Sequence, residues 1–118
     1  MWSGSSTPPW VKRLARYHRV RRWAAKIVAK VVRQRFPSAR VYLVGSTVRG
    51  SSTIYSDIDV LICLDLPPHI DERKLVAEIL SRAFDEGLPI DYPIELHIAS
   101  ENLCKAILEH EPHEEIEP

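Results

Sequence analysis

Residues 41–64 read VYLVGSTVRGSSTIYSDIDVLICL. Val41-Tyr42-Leu43-Val44 is a short run of strand-forming residues that stops at Gly45-Ser46, and Ile58 to Leu64 is a second run, entered through Asp57-Ile58-Asp59. A polar connection rich in Gly and Ser joins them. In an extended strand alternate side chains share a face, so Asp57 and Asp59 point the same way, about 7 Å apart along the backbone. Two carboxylates so placed repel each other unless a cation sits between them. Among Ile58, Val60, Leu61 and Ile62 that repulsion calls for a purpose, and an oxygen-seeking divalent ion such as Mg²⁺ supplies one. At the end of the first strand, Gly45 lets a phosphate approach the backbone and the Ser46 hydroxyl can donate to it. Amide groups opening a short helix there would favour an anion. Arg49, one helical turn beyond Ser46, adds a charge-assisted contact. A lone Gly-Ser is usually a turn, and a lone Asp-x-Asp is usually a solvated strand end. Both together, each at a strand boundary, describe a phosphate cradle facing a metal-binding pair, which fits metal-assisted attack on a nucleotide triphosphate.

Upstream, Thr7-Pro8-Pro9-Trp10 reads as a helix start, with Thr7 as cap and Pro8 in a first turn where a missing N–H is no loss. The helix runs over 7–36 and ends at Pro37-Ser38. Tyr17, Val20, Ala24, Ile27 and Val31 recur at three- and four-residue steps and form its apolar face, widened by Val28 and Trp23. Lys12, Arg16, Arg19, Arg22, Lys26, Lys30 and Arg33 recur at the same steps on another face. Trp2, Trp10 and Trp23 read as packing and end anchors. Downstream, Asp71 caps a helix to about Glu86 whose apolar side is Leu75, Ile79, Leu80 and Ala83. Gly87 and Pro89 end it, Tyr92 to Ala99 reads as a third strand, and Ser100 caps a last helix through about Glu109. The order α-β-(α)-β-α-β-α predicts an α/β (α+β) fold with a small mixed sheet flanked by helices. Residues 1–118 read as one domain: a loose start over 1–6, the long basic helix, a core over 38–100, and an acidic tail over 110–118.

The 118 residues balance 16 basic against 16 acidic side chains, but the balance is segregated. Residues 1–50 carry twelve bases and no carboxylate, whereas residues 51–118 carry four bases and all sixteen acids. The basic helix face is read as solvated, as an RNA contact, or as a dock for an acidic protein. No apolar run approaches the ~20 residues of a membrane span, and MWSGSSTPPW lacks the order of a secretory signal, so the expectation is a soluble, cytoplasmic protein with no membrane partner. Cys63 and Cys104 are too few for a disulfide framework and are expected as free buried thiols.

The run GSTVRGSSTIYSDIDVLI resembles the signature of the minimal nucleotidyltransferases of the DNA polymerase beta superfamily: Gly-Ser, two residues, Arg-Gly, then Ser-Asp-Ile-Asp. The resemblance covers roughly residues 38–100 and implies the nucleotidyltransferase fold. It implies that Asp57 and Asp59 hold Mg²⁺, two ions in all, that Gly45 and Ser46 contact a nucleotide triphosphate, ATP foremost, and that a later strand supplies a third carboxylate. That third position falls on Glu95 in Ile94-Glu95-Leu96, where the family more often has Asp; Asp91 is the fallback. Glu95 would help hold the metal and assist deprotonation of the attacking hydroxyl. His97, on the same face two residues on, reads as a polar neighbour outside this set. The resemblance further implies a separately encoded helical partner of the HEPN class, with this chain as antitoxin and AMP moved to a protein or RNA hydroxyl. The other readings are a non-catalytic module that neutralises a helical toxin by contact, and an RNA-binding protein.

Overall fold

The computed structural model describes residues 8–45 and 58–117. Its elements in chain order are α1 (Pro9–Arg35), β1 (Arg40–Val44), β2 (Ile58–Cys63), α2 (Glu72–Asp85), β3 (Ile94–Ala99), α3 (Glu101–His110) and β4 (His113–Glu115). The strands form one mixed sheet in the order β3-β2-β1-β4. β1 runs antiparallel to both β2 and β4, while β2 and β3 are parallel. The parallel pair follows from the chain: α2 lies between β2 and β3 and carries the crossover that parallel strands require.

Alternation along the strands splits the side chains cleanly between two faces. Val41, Leu43, Ile58, Val60 and Ile62 pack into the main core with Ala24, Val28 and Val32 of α1 and Leu75 and Ile79 of α2. Tyr42, Val44, Leu61, Cys63 and Ala99 lie on the opposite face, where Cys104, Ile107 and Leu108 of α3 join them. The buried face of α1 is wider than the predicted one, because Ala25, Ala29 and Val32 are buried as well. Small residues there let the helix backbone approach its neighbours closely. Trp23 does not belong to that face; it and Trp10 are exposed, so neither is a packing anchor. Pro8 occupies the N-cap position of α1 without a side-chain cap, and Thr7, the predicted cap, lies outside the described residues, as does Trp2.

The later helix ends follow local chemistry. Asp71 Oδ1 accepts from the Arg73 and Lys74 amides at 2.9 and 3.4 Å, and Ser100 Oγ accepts from the Leu103 amide at 3.2 Å. Gly87 ends α2 at φ +112°, a left-handed conformation that glycine adopts without a Cβ penalty. The Leu88 amide then donates to the Ala83 carbonyl at 3.0 Å and the Gly87 amide to that of Phe84 at 3.1 Å. Leu88 itself is buried in the same cluster as Ala83, completing the apolar contact of a Schellman cap.

Two further expectations are corrected. Cys63 and Cys104 are buried as expected, yet they are joined in a disulfide, because α3 folds back over β2 and brings the two Cα atoms to 5.8 Å. The acidic segment after α3 is also not merely a tail. His113–Glu115 form β4, the Ile116 amide donates to the Val41 carbonyl at 2.8 Å, and the Ile116 side chain is buried in the main core. Packing of this segment and of α2 beside α1 brings the segregated charges together. Arg22 pairs with Glu114 at 2.8 Å and Arg33 with Glu117 at 3.6 Å, while Lys30 meets Glu86 at 3.1 Å and Arg35 meets Glu78. The neutralisation covers the second half of α1. Lys12, Arg13, Arg16 and Arg19 of the first half are exposed and make no ion pair among the described residues.

Candidate functional site

Parallel pairing places Asp59 of β2 directly opposite Glu95 of β3, and Leu61 opposite His97. On the other side of β2, Val44 faces Asp59, and His113 of β4 faces Val44. These pairs form a row across one end of the sheet face that α3 covers at its other end. Because Glu95 and His97 are two residues apart, both project to this face alongside Asp59. A carboxylate oxygen of Asp59, one of Glu95 and a ring nitrogen of His97 all lie within 4.8 Å of one another. His97 Nε2 is 3.2 Å from Asp59 Oδ1. Asp59 is half-buried, while Glu95 and His97 are exposed, so ions and water can reach the group.

Gly45 borders this group. It ends β1 at φ +80°, and its amide donates to the Pro112 carbonyl at 3.1 Å. A Cβ built there would stand 3.7 Å from Asp59 Oδ2, in ordinary van der Waals contact. Glycine is therefore called for by the left-handed turn, not by lack of space beside the carboxylate. The donor set suits a divalent cation: hard carboxylate oxygens beside one imidazole nitrogen, converging from two rigid strands.

Of the residues singled out in the sequence, Gly45, Asp59 and Glu95 come together here. Ser46, Arg49 and Asp57 lie outside the described residues. Asp91, the fallback for the third carboxylate, sits in the turn before β3; Glu95 is the acid opposite Asp59. His97 is the residue that sequence reasoning set aside. Its two-residue offset from Glu95 carried the signal, but only the parallel register brings that offset beside Asp59.

Behind the same end of the sheet, on the α1 side, lies a cavity of about 390 Å³ lined by Arg13, Arg16, Tyr17, Arg21 and Tyr92. Arg21 is buried, with its guanidinium 3.9 Å from the centroid of the Tyr17 ring. Burial raises the Tyr92 phenol above its ordinary value, and the nearby Arg21 charge opposes the shift. This concavity, lined also by Ile58, lies on the α1 side of the sheet, whereas Asp59 and Glu95 stand on the opposite face.

The pattern of the nucleotidyltransferase domain matches residues 25–112, a span holding β1, β2, β3 and the whole acidic group. The chain belongs to that family. Membership makes it a nucleotidyltransferase-domain protein of the transferase class and implies use of a nucleotide triphosphate and a divalent metal. The chain is also similar to the crystal structure of a candidate nucleotidyltransferase from Sulfolobus solfataricus, with a TM-score of 0.63 and 19% identity over 86% of this chain and 84% of that one. At that identity the likeness speaks for the fold, which is the α+β nucleotidyltransferase fold expected. No curated protein matches the chain. Among the described residues no helix is long and apolar enough to cross a membrane.

Proposed function

We propose that this nucleotidyltransferase domain transfers a nucleoside monophosphate, AMP from ATP, to a hydroxyl group of a protein or RNA acceptor. The observation that carries the reading is the registered pair Asp59 and Glu95, two carboxylates opposed on adjacent strands with Gly45 alongside. Asp57, Asp59 and Glu95 hold a divalent cation such as Mg²⁺, with two ions in the full site. Gly45, Ser46 and Arg49 bind the triphosphate. The acceptor hydroxyl oxygen attacks the α-phosphorus, the bond from that phosphorus to the bridging oxygen breaks, and pyrophosphate leaves. Glu95 assists removal of the hydroxyl proton. The bound cations, when present, offset the charge that develops on the phosphate oxygens. Where the resembled family more often has Asp, Glu95 carries one more methylene.

The acceptor surface comes from a partner. We assign that partner to the HEPN class of helical proteins, with this chain as its antitoxin in the cytoplasm. The first half of α1, with Lys12, Arg13, Arg16 and Arg19 outside any ion pair among the described residues, is a surface for acidic groups on it. The same bases support a second reading, an RNA contact, in which affinity falls steeply with salt. The test is transfer of label from α-labelled ATP to the purified partner or to RNA. Label on the acceptor, lost in a variant combining Asp57→Ala and Asp59→Ala, supports the reading. Partner neutralisation by that variant with no label transferred by either protein would make the chain a contact module instead.

A further inference from the structure

We infer that His97 is itself a ligand of the cation held by Asp59 and Glu95, and that it makes this site take Mn²⁺ or Co²⁺ ahead of Mg²⁺. The inference rests on the cation-dependent reading above and refines which ion that reading means. Its ground is geometric. Ligands on an octahedral ion at about 2.1 Å stand roughly 3.0 Å apart when adjacent and roughly 4.2 Å apart when opposite. His97 Nε2 and Asp59 Oδ1 are 3.2 Å apart, the spacing of adjacent ligands, and the full trio spans no more than 4.8 Å. Closing the trio on one ion asks for a shortening of at most about 0.6 Å between its outermost atoms.

The placement is fixed by the backbone. Glu95 and His97 share a face of β3, and β3 is hydrogen-bonded along its length to the strand that bears Asp59. Both donors therefore come to the carboxylate on a rigid frame. Chemistry then separates the ions. Mg²⁺ favours oxygen ligands and keeps its water, whereas first-row transition ions accept imidazole nitrogen with affinities that rise from Mn²⁺ through Co²⁺. A site of carboxylates alone has little reason to distinguish Mn²⁺ from Mg²⁺; one with an imidazole does. The rival role for His97 is a hydrogen bond that orients Asp59, which would serve every ion alike.

Calorimetric titration of the full chain with Mn²⁺ and with Mg²⁺, paired with pulsed electron paramagnetic resonance of the Mn²⁺ form, separates these roles. Wild-type protein should bind Mn²⁺ the more tightly and show modulation from a directly bonded nitrogen. In His97→Asn that modulation should vanish, Mn²⁺ affinity should fall roughly tenfold or more, and Mg²⁺ affinity should move by less than about threefold. The metal-free unfolding midpoint should be unchanged, which excludes misfolding as the cause. Bound Mn²⁺ without nitrogen modulation, or equal losses for both ions, overturns the inference while leaving the cation-dependent reading intact. Failure of wild-type protein to bind either ion overturns both.

Discussion

One face of the sheet has two ends of opposite character. At the Cys63 and Ala99 end, α3 lies across the strands, Cys104 is bonded to Cys63, and Ile107 and Leu108 pack against the cluster that holds Tyr42 and Leu61. At the Asp59 and Glu95 end, four residues or fewer along the same strands, polar groups stand open to solvent. The strands are continuous between the two, so secondary-structure propensity does not set the difference. What differs is the partner: an apolar helix covers one end, and the other keeps side chains that repel one another when alone. The covered end is built for stability and the open end for binding charge.

Breaking the covered end should cost the most. The disulfide closes a loop between residues 41 positions apart, a separation for which chain entropy allows about 4 kcal/mol, with about 2–4 typical. Cys104→Ser should lower unfolding free energy by that amount in urea titrations. A change under about 1 kcal/mol would mean that α3 holds its place without the cross-link. At the open end the order is reversed. Asp59→Asn should cut nucleotidyl transfer by about a hundredfold, equivalent to about 2.7 kcal/mol in the barrier. It should move stability by less than about 0.5 kcal/mol, because the site is solvated and loses a carboxylate repulsion with it. A large loss of stability would show that Asp59 serves the fold.

Smaller changes sharpen the contrast. Ser100→Ala removes the cap of α3 and should destabilise by about 1 kcal/mol without affecting cation binding. Gly87→Ala puts a Cβ at φ +112° and should cost a similar ~1 kcal/mol, read as a lower thermal midpoint, in a helix that touches neither end. Removing the Arg22 and Glu114 pair, both partly exposed, should change stability by less than about 1 kcal/mol.

Much of the fold was legible in the chain. β1 and β2 are marked by apolar runs with a Gly-Ser or Asp boundary, and Asp71 and Ser100 cap the helices they precede. Glu95 is named through the family resemblance, whose third carboxylate falls on the apolar-acid-apolar run Ile94-Glu95-Leu96, and the register sets it opposite Asp59. What escaped depends on contacts far apart in sequence. His-Glu-Glu has no apolar alternation, so β4 exists only because β1 offers unpaired backbone groups and Ile116 anchors the segment beside them. The disulfide required the return of α3 over β2, which no spacing of two cysteines discloses. Trp23 met the helical periodicity of the buried face, yet small residues took that face and left the indole outside. His97 waited on the register of β3 against β2.

The pairing of β4 with β1 also protects the molecule from itself. Val41-Tyr42-Leu43-Val44 is a short, uncharged, β-prone segment, and without a neighbour it would offer other chains a sticky edge for uncontrolled strand addition. The three residues that shield it are all polar, with a carboxylate at two of them, so the sheet finishes in a row of side chains that discourages growth. A chain trimmed to the family match would stop at Pro112 and forfeit this gatekeeper, making aggregation, and not lost chemistry, the first consequence of shortening it.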